Sequence, residues 1–162
     1  MNELNLDNVN LFASYPVWQR GSVFVFTTDT NIEYSVTFDE EESFEYKSYW
    51  FNLTNLSHKK SHGDIKIAQI VICIIEEFFR VNPDILLYLC STKGEQQAQR
   101  SRLFLRWFNG YEQQQKYYIK TAIVKGEGLS EYVSIILQRS HPHFDVIARR
   151  FDDETDLFNN NK

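Results

Sequence analysis

Ile65-Lys66-Ile67-Ala68-Gln69-Ile70-Val71-Ile72-Cys73-Ile74-Ile75-Glu76-Glu77-Phe78-Phe79-Arg80 is the stretch on which the fold turns. Its polar positions Lys66, Gln69, Cys73, Glu76 and Arg80 recur at intervals of three and four, the spacing of one helical stripe, and the rest of the circumference is apolar. A helix apolar over that much of its surface needs cover on two or more sides, here from a sheet and a second helix. Asp64 is a good N-cap for it. Asn82-Pro83 stops it, because proline carries no amide proton and disfavours helical backbone in the residue before it.

Outward from this helix the pattern changes period. Residues 85–90 form a continuous apolar run between Pro83 and Gly94, too short for a helix, and predict a central strand buried on both faces. Residues 49–56 alternate, with Tyr49, Phe51 and Leu53 opposed to Trp50, Asn52 and Thr54. Strand, long helix, strand is the pattern of a right-handed crossover between parallel neighbours. Residues 23–28 and 32–38 predict a hairpin turning through Thr28-Asp29-Thr30-Asn31, followed by an acidic surface loop at 39–42. A second helix is expected at 95–111, with Leu103, Phe104, Trp107, Phe108 and Tyr111 on its apolar face and Arg102 and Arg106 opposite. Strands at 117–124 and 132–137 should pair around Lys125-Gly126-Glu127-Gly128, and a short helix at 144–151 closes the fold.

The expected architecture is therefore α+β in a single domain over residues 23–151. Its order is β-β-β-α-β-α-β-β-α, with a mixed, mostly antiparallel sheet packed against two central helices. Residues 1–22 read as an N-terminal extension, and 152–162 as an acidic, Asn-rich disordered tail.

Composition narrows the function classes. At 162 residues and 15% aromatic content the chain is of one-domain size and can bury a sizeable core. Six glycines and three prolines leave no long linker and no Gly-rich phosphate cradle. The formal charge of −5 argues against a general nucleic-acid binder, which needs a basic excess. Cys73 and Cys90 lie in apolar runs and read as reduced, buried thiols, so the expected setting is cytoplasmic. The first residues lack the pattern of a signal peptide and no run reaches membrane-spanning length, so no membrane partner is expected.

Among residues that carry chemistry, Arg100 stands out because it falls on the stripe of Leu103, Phe104, Trp107 and Tyr111. An arginine there either covers Trp107 with its stem and meets a carboxylate, or clamps an anion at the end of the strand that finishes at Cys90. Arg100, Trp107, Cys90 and Ser91 are thus the candidate ligand-binding residues. His58 with His62, and His141 with His143, read as surface-loop histidines, since neither pair has converging partners at metal-ligand spacing. Cys90 has no base nominated beside it. No catalytic residue, metal or cofactor is expected.

Phe24-Val25-Phe26-Thr27-Thr28-Asp29 with Ile32-Glu33-Tyr34-Ser35-Val36-Thr37-Phe38 resembles the opening hairpin of a family of short bacterial proteins, domain-of-unknown-function family 6169. Residues 67–79, the Leu-Cys ending at Cys90, Arg100 with Phe104 and Trp107-Phe108, and residues 132–151 resemble the same family in order and spacing, so the likeness covers roughly 23–151. In that family acidic residues follow the strand-end cysteine, whereas Ser91, Thr92 and Lys93 stand here. The resemblance implies a fold and no activity. The order strand, long helix, strand, short helix, hairpin is also similar to the second half of the acetyl-coenzyme A dependent N-acetyltransferase fold. That fold's pyrophosphate loop is matched by only one glycine in Lys60-Ser61-His62-Gly63-Asp64-Ile65. The expectation is a non-catalytic binding or protein-interaction domain of a bacterial cytosolic protein that meets a protein or a small anionic ligand, with acetyl transfer as the alternative and homo-oligomerisation left open by the sheet edges.

Overall fold

The computed structural model describes residues 1–59, 65–91, 106, 110–125 and 130–160, and it divides into two compact units. The first comprises Met1–Asp39 and Phe51–Pro83, the second Glu40–Trp50 and Asp84–Lys162. The fold is α+β, with mixed and mostly antiparallel strands.

The first unit opens with α1 (Leu6–Asn10), started by Asn5, whose side chain accepts from the Asn8 amide at 3.1 Å. Then come β1 (Val17–Arg20), β2 (Val23–Thr27), β3 (Glu33–Glu41), β4 (Ser48–Asn55) and α2 (Ile65–Val81); β3 and β4 each run on into the second unit. β1 pairs antiparallel with β2 through a turn at Gly21, whose φ of 60° suits a residue without Cβ. β2 pairs antiparallel with β3, and the turn between them is closed by Asn31 N–H on the Thr28 carbonyl at 3.0 Å, with Asn31 itself at positive φ, 65°. Leu56 N–H bonds the Glu33 carbonyl at 2.8 Å and Asn52 bonds Asp39 at 2.7 Å, the inverse order of an antiparallel β3–β4 pair.

Aromatic rings fill the space under these strands. Phe26 stacks on Tyr34 at 5.5 Å, and Phe38 stacks on Phe78 of α2 at 5.0 Å while tilting against Phe51 at 5.8 Å. Ile70, Ile74, Ile75 and Phe78 are fully buried, as the stripe of α2 requires. Cys73 is a free, half-buried thiol, pushed up to about 11 by burial and then by the Glu76 carboxylate, so it is inert at neutral pH.

Residues 1–22 carry α1 and β1, neither of which periodicity revealed, because five and four residues are too few for a period to show. Tertiary contacts stabilise them instead. Leu4, Val9, Tyr15 and Val17 are buried, Asn2 bonds Asn82 and the Val81 carbonyl at 2.7 Å each, and Gln69 bonds Ser14 and the Phe12 carbonyl. Asn10 donates to the Val17 carbonyl at 2.9 Å and accepts from its amide at 2.8 Å, satisfying the outer side of β1 as a further strand would.

The second unit holds β5 (Ile85–Ser91), α3 (Tyr111–Lys116), β6 (Tyr117–Lys125), β7 (Ser130–Gln138) and α4 (Phe144–Asn160). β7 pairs antiparallel with both β5 and β6. Its core is Ile85, Leu87, Ile135, Leu137, Ile147 and Phe151, ringed by Phe44, Tyr46, Trp50, Tyr118 and Phe144. Ile85 N–H bonds the Lys47 carbonyl at 3.1 Å, so β5 begins beside the residue that precedes β4.

Four expectations need correction. Residues 39–41 continue β3 rather than forming an acidic loop, because the Glu41 carboxylate is held by Trp50 and Ser43 instead of being left in water. Leu89 of β5 is 45% exposed, so the strand is not covered on both faces to its end. Tyr111 opens the short helix α3 after Gly110 rather than ending a helix. α4 runs to Asn160 instead of ending near Phe151 with a disordered tail, helped by the ion pair of Asp152 with Lys120 and by the absence of any Pro or Gly in its sequence. Asp64, the tip at 126–129 and most of the expected second central helix lie outside the described residues; Arg106 is helical and exposed, as expected.

Candidate functional site

Of the four candidate ligand-binding residues, Arg100 and Trp107 lie outside the described residues. Cys90 and Ser91 are placed by their backbone at the C-terminal end of β5, in register with Tyr132 and Glu131 of β7. The described ionisable and aromatic groups converge at the other end of this strand, where it starts.

There the turn between β3 and β4, the residue before β5 and the turn between β7 and α4 meet. Tyr46 sits 5.3 Å from the His143 ring and 6.5 Å, edge-on, from the His141 ring, and the two imidazoles are 6.0 Å apart. Backbone bonds fix both supports: Lys47 O to Ile85 N on one side, His141 N to Gln138 O and Phe144 N to His141 O on the other. Glu45 reaches Arg150 on α4 in an ion pair, and α4 continues the surface with a shallow groove lined by Val146, Arg149, Arg150 and Asp153.

The electrostatics follow from partial burial. Asp84 is raised above the usual carboxylate range by burial, opposed by the charges of Lys47 and His141. The Lys47 ammonium is raised, chiefly by the Tyr49 hydroxyl and then by Asp84. His141 is lowered, first by burial and then by His143, with Asp84 pulling the other way. Hydrogen bonding agrees: the His143 amide donates to His141 Nδ1 at 3.0 Å, so the neutral ring carries its proton on Nε2, and protonating Nδ1 would break that bond.

His141 therefore contributes a pH dependence whose sign is fixed. Its folded pKa lies below the unfolded value near 6.5, so the stability that it contributes is complete above that value and is lost as pH falls through the folded pKa. Urea titrations at about pH 7 and about pH 5.5 should show a drop that shrinks in His141→Asn, which keeps an acceptor for the His143 amide and cannot titrate. An equal drop in both proteins would remove His141 from this account. Asp84, raised, acts in the opposite sense, since the cost of its ionised form is relieved on acidification.

Chemically the site offers donors, a carboxylate and ring faces. With Nδ1 occupied and the proton on Nε2, neutral His141 presents a donor and no spare lone pair, so it is suited to hold a ligand rather than to take a proton. Among the described residues no group of three His, Cys, Asp or Glu stands close enough to hold a metal ion, and no helix is long and apolar enough to cross a membrane.

Sequence reasoning missed a second polar feature, Glu77 of α2, which it left unassigned beside the exposed Glu76. Glu77 is only 4% exposed; its carboxylate accepts from Arg80 Nε at 2.8 Å, Arg80 Nη2 at 2.7 Å and the Asn5 amide at 3.0 Å. The Arg80 bonds outweigh burial and hold it below the usual carboxylate range. This is a structural clamp between α1 and α2. Its signal in the sequence is a Glu three and seven residues after Ile74 and Ile70, with an Arg three residues on.

No curated protein and no solved structure matches the chain. The model of a family of unknown function, DUF6169, matches residues 63–153, from just before α2 into α4. That is more than half of the 162 residues and takes in Asp84, His141 and His143, with the opening hairpin outside it. This chain belongs to the family of unknown function DUF6169.

Proposed function

We propose that the protein is a non-catalytic binding or protein-interaction domain of the bacterial cytosol, and that it meets its partner on the surface around Tyr46, His141 and His143. The observation that carries this reading is the packing of three polar-edged rings, 5.3 to 6.5 Å apart, on two short turns anchored to the sheet. Tyrosine and histidine rings held this way give contact area at little cost in side-chain entropy. The neighbouring basic groups Lys47, Arg149 and Arg150 suit a carboxylate-bearing partner, such as a small organic anion or an acidic peptide. The neutral, Nδ1-bonded state of His141 favours binding over proton transfer.

The test is a thermal-shift screen of the purified chain against short carboxylates, acidic peptides, nucleotides, divalent metals and acetyl-coenzyme A, run beside Tyr46→Ala and Arg100→Ala. A carboxylate ligand at a hundred times its dissociation constant should stabilise the fold by about 2.7 kcal/mol, and Tyr46→Ala should abolish that gain while staying folded. A gain lost only in Arg100→Ala would move the site to the strand end of Cys90 and Ser91. A shift with acetyl-coenzyme A, accompanied by transfer of its acetyl group to an amine, would replace the binding reading with the enzymatic one.

A further inference from the structure

Building on the binding surface proposed above, we infer that His141 takes up a proton together with the carboxylate ligand, so that mild acid tightens binding. The turn from β7 to α4 makes structural use of this one imidazole. His141 Nδ1 accepts from the His143 amide at 3.0 Å, while His141 N–H donates to the Gln138 carbonyl at 3.0 Å and Phe144 N–H to the His141 carbonyl at 3.1 Å. The ring meets Tyr46 edge-on at 6.5 Å and the His143 ring at 6.0 Å. In the ligand-free turn His141 is therefore neutral, with Nε2–H as its single ring donor.

A carboxylate that accepts from Nε2–H sets a negative charge beside the ring, and an opposite charge that close favours the protonated form. A proton from water then enters the Nδ1 lone pair. Two donors now face each other, so the bond from the His143 amide is given up and the turn loosens where it packs against Tyr46. In exchange the neutral donor becomes a cationic one, whose bond to a carboxylate is roughly twice as strong. The groups facing His141 are the His143 imidazole on its own turn, the Tyr46 ring between β3 and β4, and the Asp84 carboxylate ahead of β5. Asp84 favours the same protonation, whereas burial and His143 oppose it and keep the ligand-free ring neutral. Lys47 and Glu40 act in turn on Asp84, and Glu45 is engaged by Arg150 of α4. Because the bound form holds the proton more tightly, the gain in affinity is complete below the ligand-free pKa. It is lost as pH rises through the ligand-bound one.

Isothermal titration calorimetry of the full chain at about pH 6, in buffers of different ionisation enthalpy, counts the protons taken up. The probes are lactate and a capped tetra-aspartate peptide, both ionised at that pH, and they separate a small organic anion from an acidic peptide. Binding of one or both should take up a fraction of a proton, with affinity rising by at most about tenfold per pH unit on acidification. His141→Asn keeps an acceptor for the His143 amide, and His141→Gln keeps a donor near the Nε2 position. Neither titrates, so each should bind with no proton uptake and a flat pH profile, whereas Asp84→Asn should retain the uptake. Circular dichroism checks that each variant is folded. Binding to the unsubstituted chain without proton uptake, or uptake that survives both His141 variants, would overturn the inference and leave the binding surface standing. No binding of either probe at any pH would remove that surface and the inference with it.

Discussion

Phe78→Ala lowers the unfolding free energy by about 3–5 kcal/mol, the largest single loss expected in the first unit. The ring is fully buried, stacked on Phe38 at 5.0 Å and met edge-on by Phe79 at 5.3 Å. Truncation removes its transfer free energy, leaves a cavity that rigid neighbours fill only in part, and forfeits aromatic pairs worth about 0.5–1.5 kcal/mol each. Urea unfolding should report the loss as a lower midpoint at unchanged slope. Ile65→Ala, at the exposed start of the same helix, should stay within about 0.5 kcal/mol of the parent. Comparable losses at the two positions would mean that the apolar stripe of α2 is not the core.

Glu77→Leu should cost about 1–3 kcal/mol, although it replaces a charge by a residue of high helix propensity. The cost arises at the partners. The Asn5 amide loses its acceptor beside the buried α1–α2 contact, whereas the half-exposed Arg80 finds water cheaply. Glu77→Gln, which keeps one acceptor oxygen, should lose less. Because Glu77 titrates below its ordinary value of 4.5, the stability that it contributes is present above that pH and lost on acidification through its folded pKa. Glu77→Leu should therefore flatten the acid limb of the stability profile and speed amide exchange over residues 5–9. An unchanged exchange pattern would show that α1 is held by its apolar contacts alone.

What the sequence disclosed depended on the length of its signals. α2 was legible because sixteen residues repeat one period, and the β2–β3 turn because Asn31 tolerates the left-handed backbone it adopts. β6 and β7 were legible from residue type and turn glycines, to within two residues at their ends. α1 and β1 were hidden by brevity. They exist because Asn2, Asn5, Asn10 and Ser14 find partners 7 to 80 residues away, which no local pattern encodes.

The candidate surface was hidden for the same reason. Tyr46, Asp84 and His141 come from three separated segments, the first two joined by the backbone bond between Lys47 and Ile85 and the third by the packing of His141 and His143 on Tyr46. The sole local sign, histidines flanking Pro142, also fits an ordinary surface turn. Arg100 was singled out by a rule that does hold in this fold, that a charge on an apolar stripe needs a partner. The described instance of that rule is Glu77 with Arg80.

Histidine side-chain NMR of the full chain, titrated with short carboxylates, acidic peptides and acetyl-coenzyme A, tests the binding surface most directly. A carboxylate ligand should shift the His141 and His143 ring signals together with the amides of Tyr46 and Lys47, with no acetyl transfer. Shifts that spare these residues while acetyl-coenzyme A is bound and turned over would contradict it.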